Sequence, residues 1–328
     1  MLASDEKISV IMAAYNCAAH IGQAIQSISD QTHKNFELII VNDGSTDNTV
    51  EVINQFSDAR IKLIQQKNKG QCAALNAGYH HSTGRYIKFF DADDVLDKET
   101  LEAQIKSLSG KRNCISFINW SRFRNNDIKN TFNDIFREIK TVEVDCTPIE
   151  YLTYTGSPAM LQCGLWLIPR ELIEKAGLWD ERISLINDTE YITRLLLHAE
   201  RLIYSEKGFL YYRTDQGSGS LSQRRSKKAV HYALISIDLM SKHMLANEKS
   251  EKVDKIIAQS YRLLLEDSYP SYKIYTGIIE RRLKQYPSDY SAPQPSGRFY
   301  NSIVKLFGWK SAVRVKLFYN KILIFFGS

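Results

Sequence analysis

The sequence predicts an α/β fold, a doubly wound sheet of the mixed type, followed by a mainly helical C-terminal region. In the first 110 residues, short apolar runs alternate with segments whose apolar residues recur every three or four positions. Such alternation is typical of right-handed crossovers between parallel strands. Beyond residue 226 the apolar spacing is almost entirely helical. We therefore expect one domain over residues 1–225, with halves at 1–110 and 111–225, and a helical region over 226–328.

Four apolar runs in the first half are suited to strands that are buried on both faces. They cover residues 8–12, 36–41, 61–64 and 86–90. Helices are predicted after each, and the first carries Ile21, Ile25 and Ile28 at spacings of four and three. The others are a helix over 47–56, a helix of small residues around Ala73 to Gly78, and a helix marked by Leu101, Ile105 and Leu108. Ligands of such sheets bind at the carboxyl ends of the strands, where Tyr15, Asp43 and the acidic turn 91–94 should converge.

The second half is less regular. Residues 119–145 are rich in Asn and Arg and read as a variable excursion. A strand over 163–168, a helix over 171–176 ended by Gly177, a helix over 188–198 and a strand within 202–212 follow. The Gly- and Ser-rich segment 213–222 has the composition of a mobile lid.

The fourth strand ends in three carboxylates, Asp91, Asp93 and Asp94. Carboxylates crowded at one strand end repel one another unless a cation offsets their charge. A hard divalent ion held by one or two protein oxygens usually completes its shell with phosphate oxygens and water. The turn therefore predicts a metal and a phosphate-bearing ligand. A purely structural interpretation is also open, since Asp is favoured at helix N-termini.

Composition narrows the class of protein further. Lys and Arg exceed Asp and Glu by 43 to 37, and the segment after Asp289 holds six bases and no acid. The five cysteines lie far apart without a CxxC pair, which disfavours a zinc knot or a disulfide framework and favours a reducing cytosol. The polar N-terminus shows no signal segment, and no apolar run reaches the length of a membrane span. Neither GxGxxG nor GxxxxGK[ST] occurs, which weakens dehydrogenase and P-loop hypotheses.

Three segments together carry a family resemblance: residues 9–16 (SVIMAAYN), 41–47 (VNDGSTD) and 90–94 (FDADD). In this order they resemble family 2 glycosyltransferases, inverting enzymes with the GT-A fold that use nucleotide-sugar donors. The resemblance covers roughly residues 6–223. It implies a nucleotide-binding half over 1–110 and an acceptor-binding half over 111–225. It also implies nucleotide binding by Ala13, Tyr15, Asp43, Asp91 and Asp93.

The resemblance further implies Mn²⁺ or Mg²⁺ held by Asp93, with Asp91 and Asp215 as additional candidate ligands. The acidic motif later in the family matches Asn187 and Asp188 with Arg194, which makes Asp188 the candidate catalytic base. The sequence departs from the pattern at Asn187, where an acid is usual, at Ala13, where many relatives have proline, and at Asp215, where some have histidine. Structural alternatives remain for Asp43, as part of a turn, and for Asp188, as a helix N-cap.

The function implied is metal-dependent inverting transfer of a sugar, most often from a UDP-linked donor, to a hydroxyl of a glycan or lipid-linked acceptor. A sugar-phosphate nucleotidyltransferase is one alternative, although it would be expected to have a glycine- and basic-rich loop after the first strand. A non-catalytic sugar-nucleotide or glycan-binding protein is another. Nucleic-acid binding is disfavoured because the excess positive charge lies in an apolar tail. That tail, residues 299–326, fits contact with the inner membrane face, packing on the catalytic domain or a homodimer interface.

Overall fold

The computed structural model describes residues 6–124, 128, 143–154, 161–214, 226–287, 302–304, 306–315 and 318. Most of the predicted excursion, the lid beyond Thr214 and much of the tail lie outside these residues. The chain divides into two compact units, Met1–Gln223 and Arg224–Ser328.

The first unit is built on a mixed sheet, which in the described residues has the order β3-β2-β1-β4-β7-β6-β8-β5. The strands are β1 (Ile8–Ala14), β2 (Phe36–Asn42), β3 (Ile61–Gln65), β4 (Tyr86–Asp91), β5 (Val95–Leu96), β6 (Cys114–Phe123), β7 (Trp166–Pro169) and β8 (Arg201–Arg213). The helices are α1 (Ala18–Ser29), α2 (Thr49–Ile53), α3 (Gln71–His81), α4 (Thr100–Leu108), α5 (Pro148–Tyr154), α6 (Arg170–Ala176) and α7 (Asn187–Leu196). The predicted α/β class and mixed doubly wound sheet are confirmed.

Strands β1 to β4 are mutually parallel, as the alternating pattern predicts. Their register sets the position of the site: Ala14 pairs with Asn42, and Ala13 pairs with Asp91. The carboxyl ends of β1, β2 and β4 therefore lie side by side. Strand β7 joins β4 in the antiparallel sense and so extends the sheet into the second half of the unit.

Small residues on α3 let this helix approach the sheet closely. A Cβ added at Gly78 would lie 2.4 Å from Cγ2 of Ile11 on β1. Asn76 on the same helix bonds both the amide and the carbonyl of Trp179, each at 3.0 Å. These contacts give Asn76 and Gly78 packing roles, and α3 is thereby fixed over β1 and β2.

Several elements differ from the sequence-based expectation, among them β6 and α5, for which no element was predicted. Helix α2 is shorter than the predicted 47–56, and a 3-10 turn (Cys163–Leu165) replaces the first half of the predicted strand 163–168. Helix α7 spans Asn187–Leu196 rather than 188–198. The acidic turn leads into the short strand β5 before α4 begins, because Val95 and Leu96 pair with Tyr211 and Leu210 of β8.

The second unit contains α8 (Lys227–Asn247), α9 (Glu251–Ser268) and α10 (Lys273–Leu283). Ser226 and Ser250 cap α8 and α9 by accepting hydrogen bonds from backbone amides. Residues 306–315 are helical, and within the unit Trp309 packs on Tyr269 with ring centroids 5.1 Å apart. In the part of the chain that the structure describes, no helix combines the length and apolarity needed to cross a bilayer.

Candidate active site

The loops that follow β1 and β2 are joined by hydrogen bonds at the carboxyl edge of the sheet. The backbone amide of Asn16 donates to Oγ of Ser45 at 3.0 Å, and the amide of Thr46 donates to Oδ1 of Asn16 at 2.8 Å. Asn16 takes a left-handed conformation with φ of 49°, which asparagine tolerates. Tyr15, beside this junction, keeps 51% of its surface exposed and is available to a ligand.

Asp43 lies buried at the end of β2 with 3% of its surface exposed. Its carboxylate accepts hydrogen bonds from Nε2 of Gln66 at 2.7 Å and from the backbone amides of Lys69 and Gly70 at 2.8 Å each. These bonds hold the loop before α3 against the strand. Asp43 therefore does more than form a local turn, because it fixes the backbone that leads to Gln71.

The acidic turn after β4 is held by groups from distant parts of the chain. Asp91 accepts a hydrogen bond from Nε2 of Gln71 at 3.1 Å and one from Sγ of Cys163 at 3.4 Å. Nε of Arg213 donates to the backbone carbonyl of Asp93 at 2.8 Å, while the amide of Arg213 donates to Oδ1 of Asp94 at 2.9 Å. The turn is thus attached to α3, to the 3-10 turn and to β8.

Two expectations for this region are wrong. Asp94 is fully buried and bonds Arg213, whereas the next helix begins at Thr100, so Asp94 does not cap a helix. Arg213 was expected to belong to a diphosphate-closing lid. Its side chain is instead buried against Phe123, with the guanidinium carbon 4.4 Å from the ring centroid. Asp215, the additional candidate metal ligand, lies outside the described residues. The same is true of the rest of the predicted lid up to residue 222.

Burial raises the pKa of every carboxyl in this cluster. The pKa of Asp93 rises to about 7, first through desolvation and then through the nearby charge of Asp91. Desolvation also raises the pKa of Asp91 and, with the charges of Asp93 and Asp91, that of Asp94. Ionising all three carboxyls at once is unfavourable in this buried position. A bound cation would favour their ionised forms.

Asp91 and Asp93 fit the donor chemistry of a hard divalent cation. Their oxygens are the ligand type that Mg²⁺ and Mn²⁺ favour. In the described residues, no group of three His, Cys, Asp or Glu side chains could hold a metal ion without other ligands. An ion at Asp93 would therefore need oxygens from a bound ligand or from water to complete its coordination.

Asp188 lies in the first turn of α7, close enough to Asp91 for the two charges to interact. The pKa of Asp188 is raised to about 6, mainly by burial and to a smaller extent by the charge of Asp91. Its Oδ1 accepts from the amide of Thr189 at 2.9 Å, but Ile186 occupies the N-cap position. The alternative that Asp188 is a simple N-cap is therefore wrong.

Arg194 stabilises the helix that carries Asp188. It forms an ion pair with Glu190 at 2.6 Å, and its Nη2 donates to the carbonyl of Leu178 at 2.9 Å. Glu190 is buried, and Arg194 is largely shielded from solvent. Gln71, Cys163 and Arg213 were not assigned to the carboxylate cluster by sequence reasoning, because only the fold brings them to the end of β4.

A mixed α/β sheet with an acidic strand end and a nearby carboxylate on a helix is the arrangement expected of a glycosyltransferase with the GT-A fold. The model of the family described as "Glycosyl transferase family 2" matches residues 9–177. The chain belongs to this family.

Two curated relatives illustrate the similarity. "Glycosyltransferase GlyA" of Streptococcus pneumoniae is 32% identical over 273 residues, which cover 80% of this chain and 38% of that protein. WfgD of Escherichia coli, named a UDP-Glc:alpha-D-GlcNAc-diphosphoundecaprenol beta-1,3-glucosyltransferase, is 38% identical over 131 residues, 39% of this chain and 51% of that protein. The matches therefore leave much of each relative's length uncovered.

Solved structures share the fold. Residues 1–349 of Staphylococcus aureus TarS, in complex with UDP-GlcNAc, match with a TM-score of 0.67 at 17% identity, covering 96% of this chain and 92% of that one. The mannosyltransferase PcManGT of Pyrobaculum calidifontis, in complex with GDP-Man and Mn²⁺, matches with a TM-score of 0.53 at 16% identity, covering 96% of this chain and 88% of that one.

Proposed function

We propose that the protein is a metal-dependent, inverting hexosyltransferase. It would move a sugar from a UDP-linked donor to a hydroxyl of a glycan or lipid-linked acceptor. The observation that carries this proposal is the meeting of Asp91, Asp93 and Asp188 at the carboxyl edge of the sheet. The UDP-GlcNAc complex of TarS and the lipid-linked substrate in the name of WfgD support the choice of donor and acceptor class.

Asp188 would act as the general base that removes the proton of the acceptor hydroxyl as this attacks the anomeric carbon. A pKa of about 6 suits that task, because the group is ionised at neutral pH yet basic enough to accept a proton. Inversion needs one displacement and no protein nucleophile. The carboxyl oxygens of Asp93, with Asp91 beside it, would hold Mn²⁺ or Mg²⁺, and the bound ion would supply Lewis-acid stabilisation of the departing diphosphate.

We assign nucleotide binding to the first half of the domain, residues 1–110, and acceptor binding to residues 111–225. Tyr15 offers an exposed ring beside the end of β1, and Ala13 is the register partner of Asp91. Asp43 would contribute by fixing the loop through Gly70 and by meeting the base with the accepting capacity its carboxylate retains.

Donor screening by calorimetry tests the assignment directly. With Mn²⁺ present, UDP, GDP and dTDP should give one clear preference, and transfer activity should be lost in both Asp93→Ala and Asp188→Asn. Asp188→Asn should still bind donor, whereas Asp93→Ala should lose the metal-dependent part of that binding. Asp180→Asn, which removes a partly buried carboxylate paired with the exposed Arg182, is the matched control and should retain activity.

The competing functions give different results in the same experiment. A nucleotidyltransferase would release pyrophosphate from a nucleoside triphosphate and a sugar phosphate. A binding protein would take up donor without turnover by the unchanged protein. Absence of nucleoside diphosphate binding in the presence of Mn²⁺ would overturn the transferase proposal.

We further propose that the tail contacts an anionic membrane at the cytoplasmic face. Ala312 and Val313 are buried, whereas Leu306 and Phe307 keep 75% and 69% of their surfaces exposed. The six bases and no acids after Asp289 match the charge of anionic lipid.

Flotation with phosphatidylglycerol liposomes tests the tail. Truncation after Pro295 and the double change Leu306→Ser with Phe307→Ser should both abolish co-flotation, and phosphatidylcholine liposomes should bind weakly. If the truncated protein binds liposomes as well as the full chain does, the tail is not the membrane contact and the proposal is wrong. A shift from dimer to monomer on gel filtration, without any change in flotation, would instead identify a homodimer interface.

A further inference from the structure

A chain of hydrogen bonds runs from the backbone of Asp188 to the carboxylate of Asp91 through two neutral amides. The amide of Asp188 donates to Oδ1 of Asn187 at 3.0 Å. Nδ2 of Asn187 donates to Oε1 of Gln71 at 3.2 Å, and Nε2 of Gln71 donates to Oδ1 of Asp91 at 3.1 Å. Three separate elements, α7, α3 and β4, are joined in this way.

The direction of this chain is determined at both of its ends. A backbone N–H can only donate, so it requires the oxygen of Asn187 and turns the NH₂ group toward Gln71. At the other end, both carboxyl oxygens of Asp91 accept hydrogen bonds, Oδ1 from Nε2 of Gln71 and Oδ2 from Sγ of Cys163, so the NH₂ group of Gln71 faces Asp91. Every donor therefore points from Asp188 toward Asp91. Flipping either amide would set two like groups against each other.

The chain lies in a protected setting. Asn187 has 8% of its surface exposed, and its Nδ2 also lies 3.0 Å from Sγ of Cys72. Ile186, just before it, is held in the left-handed region with φ of 58°. Buried polar groups in such a place lose much more from a missing partner than exposed groups do. The start of α7 therefore has one favourable arrangement.

We infer that Asn187 and Gln71 are positioning residues that set the place of Asp188 relative to the acidic end of β4, and that the direction of their hydrogen bonds is essential for transfer. This inference rests on the proposed function. Asp188 depends on its own helix for its position, since the side-chain bond that the structure describes for it goes to the neighbouring Thr189. A displacement of a catalytic base by about 1 Å can lower the reaction rate about a hundredfold.

Isosteric substitutions test direction without changing size. Asn187→Asp replaces the donor that faces Gln71 by an acceptor, so one hydrogen bond of the chain must break. Loss of one buried hydrogen bond to a charged group predicts a fall in kcat of about ten- to a hundredfold. The KM for donor should change by less than about threefold, because the nucleotide residues are untouched. Gln71→Met, which is neutral, should have the same effect.

Gln71→Lys supplies the sharpest test. A lysine at 71 only donates, so it opposes the NH₂ group of Asn187 but can serve both Asp91 and an aspartate at 187. Each single variant should be impaired. The double variant Asn187→Asp with Gln71→Lys keeps the net charge and should recover kcat to within about fivefold of the original, which appears as a coupling in the double-mutant cycle.

Asn76→Ser is the control on the same helix. Asn76 bonds Trp179 but lies outside the chain of bonds, so its replacement should lower the melting temperature and leave kcat of the folded protein unchanged. An unaltered kcat in folded Asn187→Asp, or a double variant no better than its weaker parent, would overturn the inference. If the unchanged protein neither binds nucleoside diphosphate nor transfers sugar, the proposed function fails instead.

Discussion

Replacing Asp188 by asparagine should abolish transfer and, at neutral pH, make the protein more stable. The carboxyl of Asp188 has a pKa of about 6 in the folded chain against an ordinary 3.8, because it is buried near Asp91. The ionised form of Asp188 therefore lowers the stability of the folded protein. Asparagine keeps the oxygen that accepts from Thr189 but cannot ionise. The same change removes the proposed base, which predicts a loss of about 10²- to 10⁴-fold in kcat.

The sign and size of the stability effect follow from proton linkage. The folded state binds the proton more tightly than the unfolded chain, so ionisation disfavours folding as pH rises from 4 toward 7. The shift from 3.8 to about 6 corresponds to at most about 3 kcal/mol at pH 7.5 and to less than about 1 kcal/mol at pH 4. Asp188→Asn should therefore melt several degrees higher at pH 7.5, and the difference should shrink toward pH 4.

Two assays check this prediction. Thermal melting of both proteins with EDTA, at several pH values, measures the stability difference without bound metal. The transfer rate of the unchanged protein should rise about tenfold between pH 5 and pH 7, as Asp188 goes from about one tenth to about nine tenths ionised. A variant that is less stable at pH 7.5, or a difference that grows on acidification, would refute the electrostatic argument for Asp188.

Four further substitutions test packing, buried charge and helix stability, three of them near the site and one in α10. Arg213→Met should lower the free energy of unfolding by about 3–5 kcal/mol in urea titrations, because it removes a buried cation from the acidic turn. Lys88→Met should raise the melting temperature more at pH 6.5 than at pH 9.5, since burial lowers the pKa of that lysine to about 7 and its charged form is the costly one. Gly78→Ala should destabilise by about 1–3 kcal/mol through its clash with Ile11. Gly277→Ala, a helix position where an added Cβ meets nothing within 4 Å, should stabilise by about 0.5–1 kcal/mol.

Local sequence pattern was sufficient to predict the first half of the fold. Strands β1, β2 and β4 are short apolar runs that are buried on both faces, as parallel strands between helices usually are, whereas β3 at the sheet edge is partly exposed. Strand β5 escaped prediction because two residues carry no periodicity and pair only with β8, more than a hundred residues away. The 3-10 turn before β7 was missed for a related reason, since its residues are as apolar as the strand that follows.

The part of the candidate site that could be predicted is the part where charged residues directly follow an apolar strand. An acidic cluster directly after a buried strand has no ordinary packing explanation, so Asp91 and Asp93 could be identified from sequence. The roles of Asp94 and Arg213 could not, because their hydrogen bond joins β8 to the acidic turn across 119 positions. Likewise, the sequence around Gln71 is typical of a solvated loop. Only the fold places this residue between Asp91 and Asn187.

The acidic edge of the sheet illustrates how a stable scaffold can hold an unfavourable site. Asp91, Asp93 and Asp94 have raised pKa values, so their ionised forms weaken the fold rather than strengthen it. The carboxyls of the turn are bonded by uncharged donors, namely the backbone amide of Arg213 and the side-chain amide of Gln71, while the guanidinium of Arg213 donates to the backbone carbonyl of Asp93. Geometry is thereby maintained whether or not the carboxyls are ionised. A positively charged ligand would therefore be attracted by carboxylates whose charge the fold has not neutralised. Such charged groups, held in place before the ligand binds, are the kind of site that can stabilise charge in a transition state.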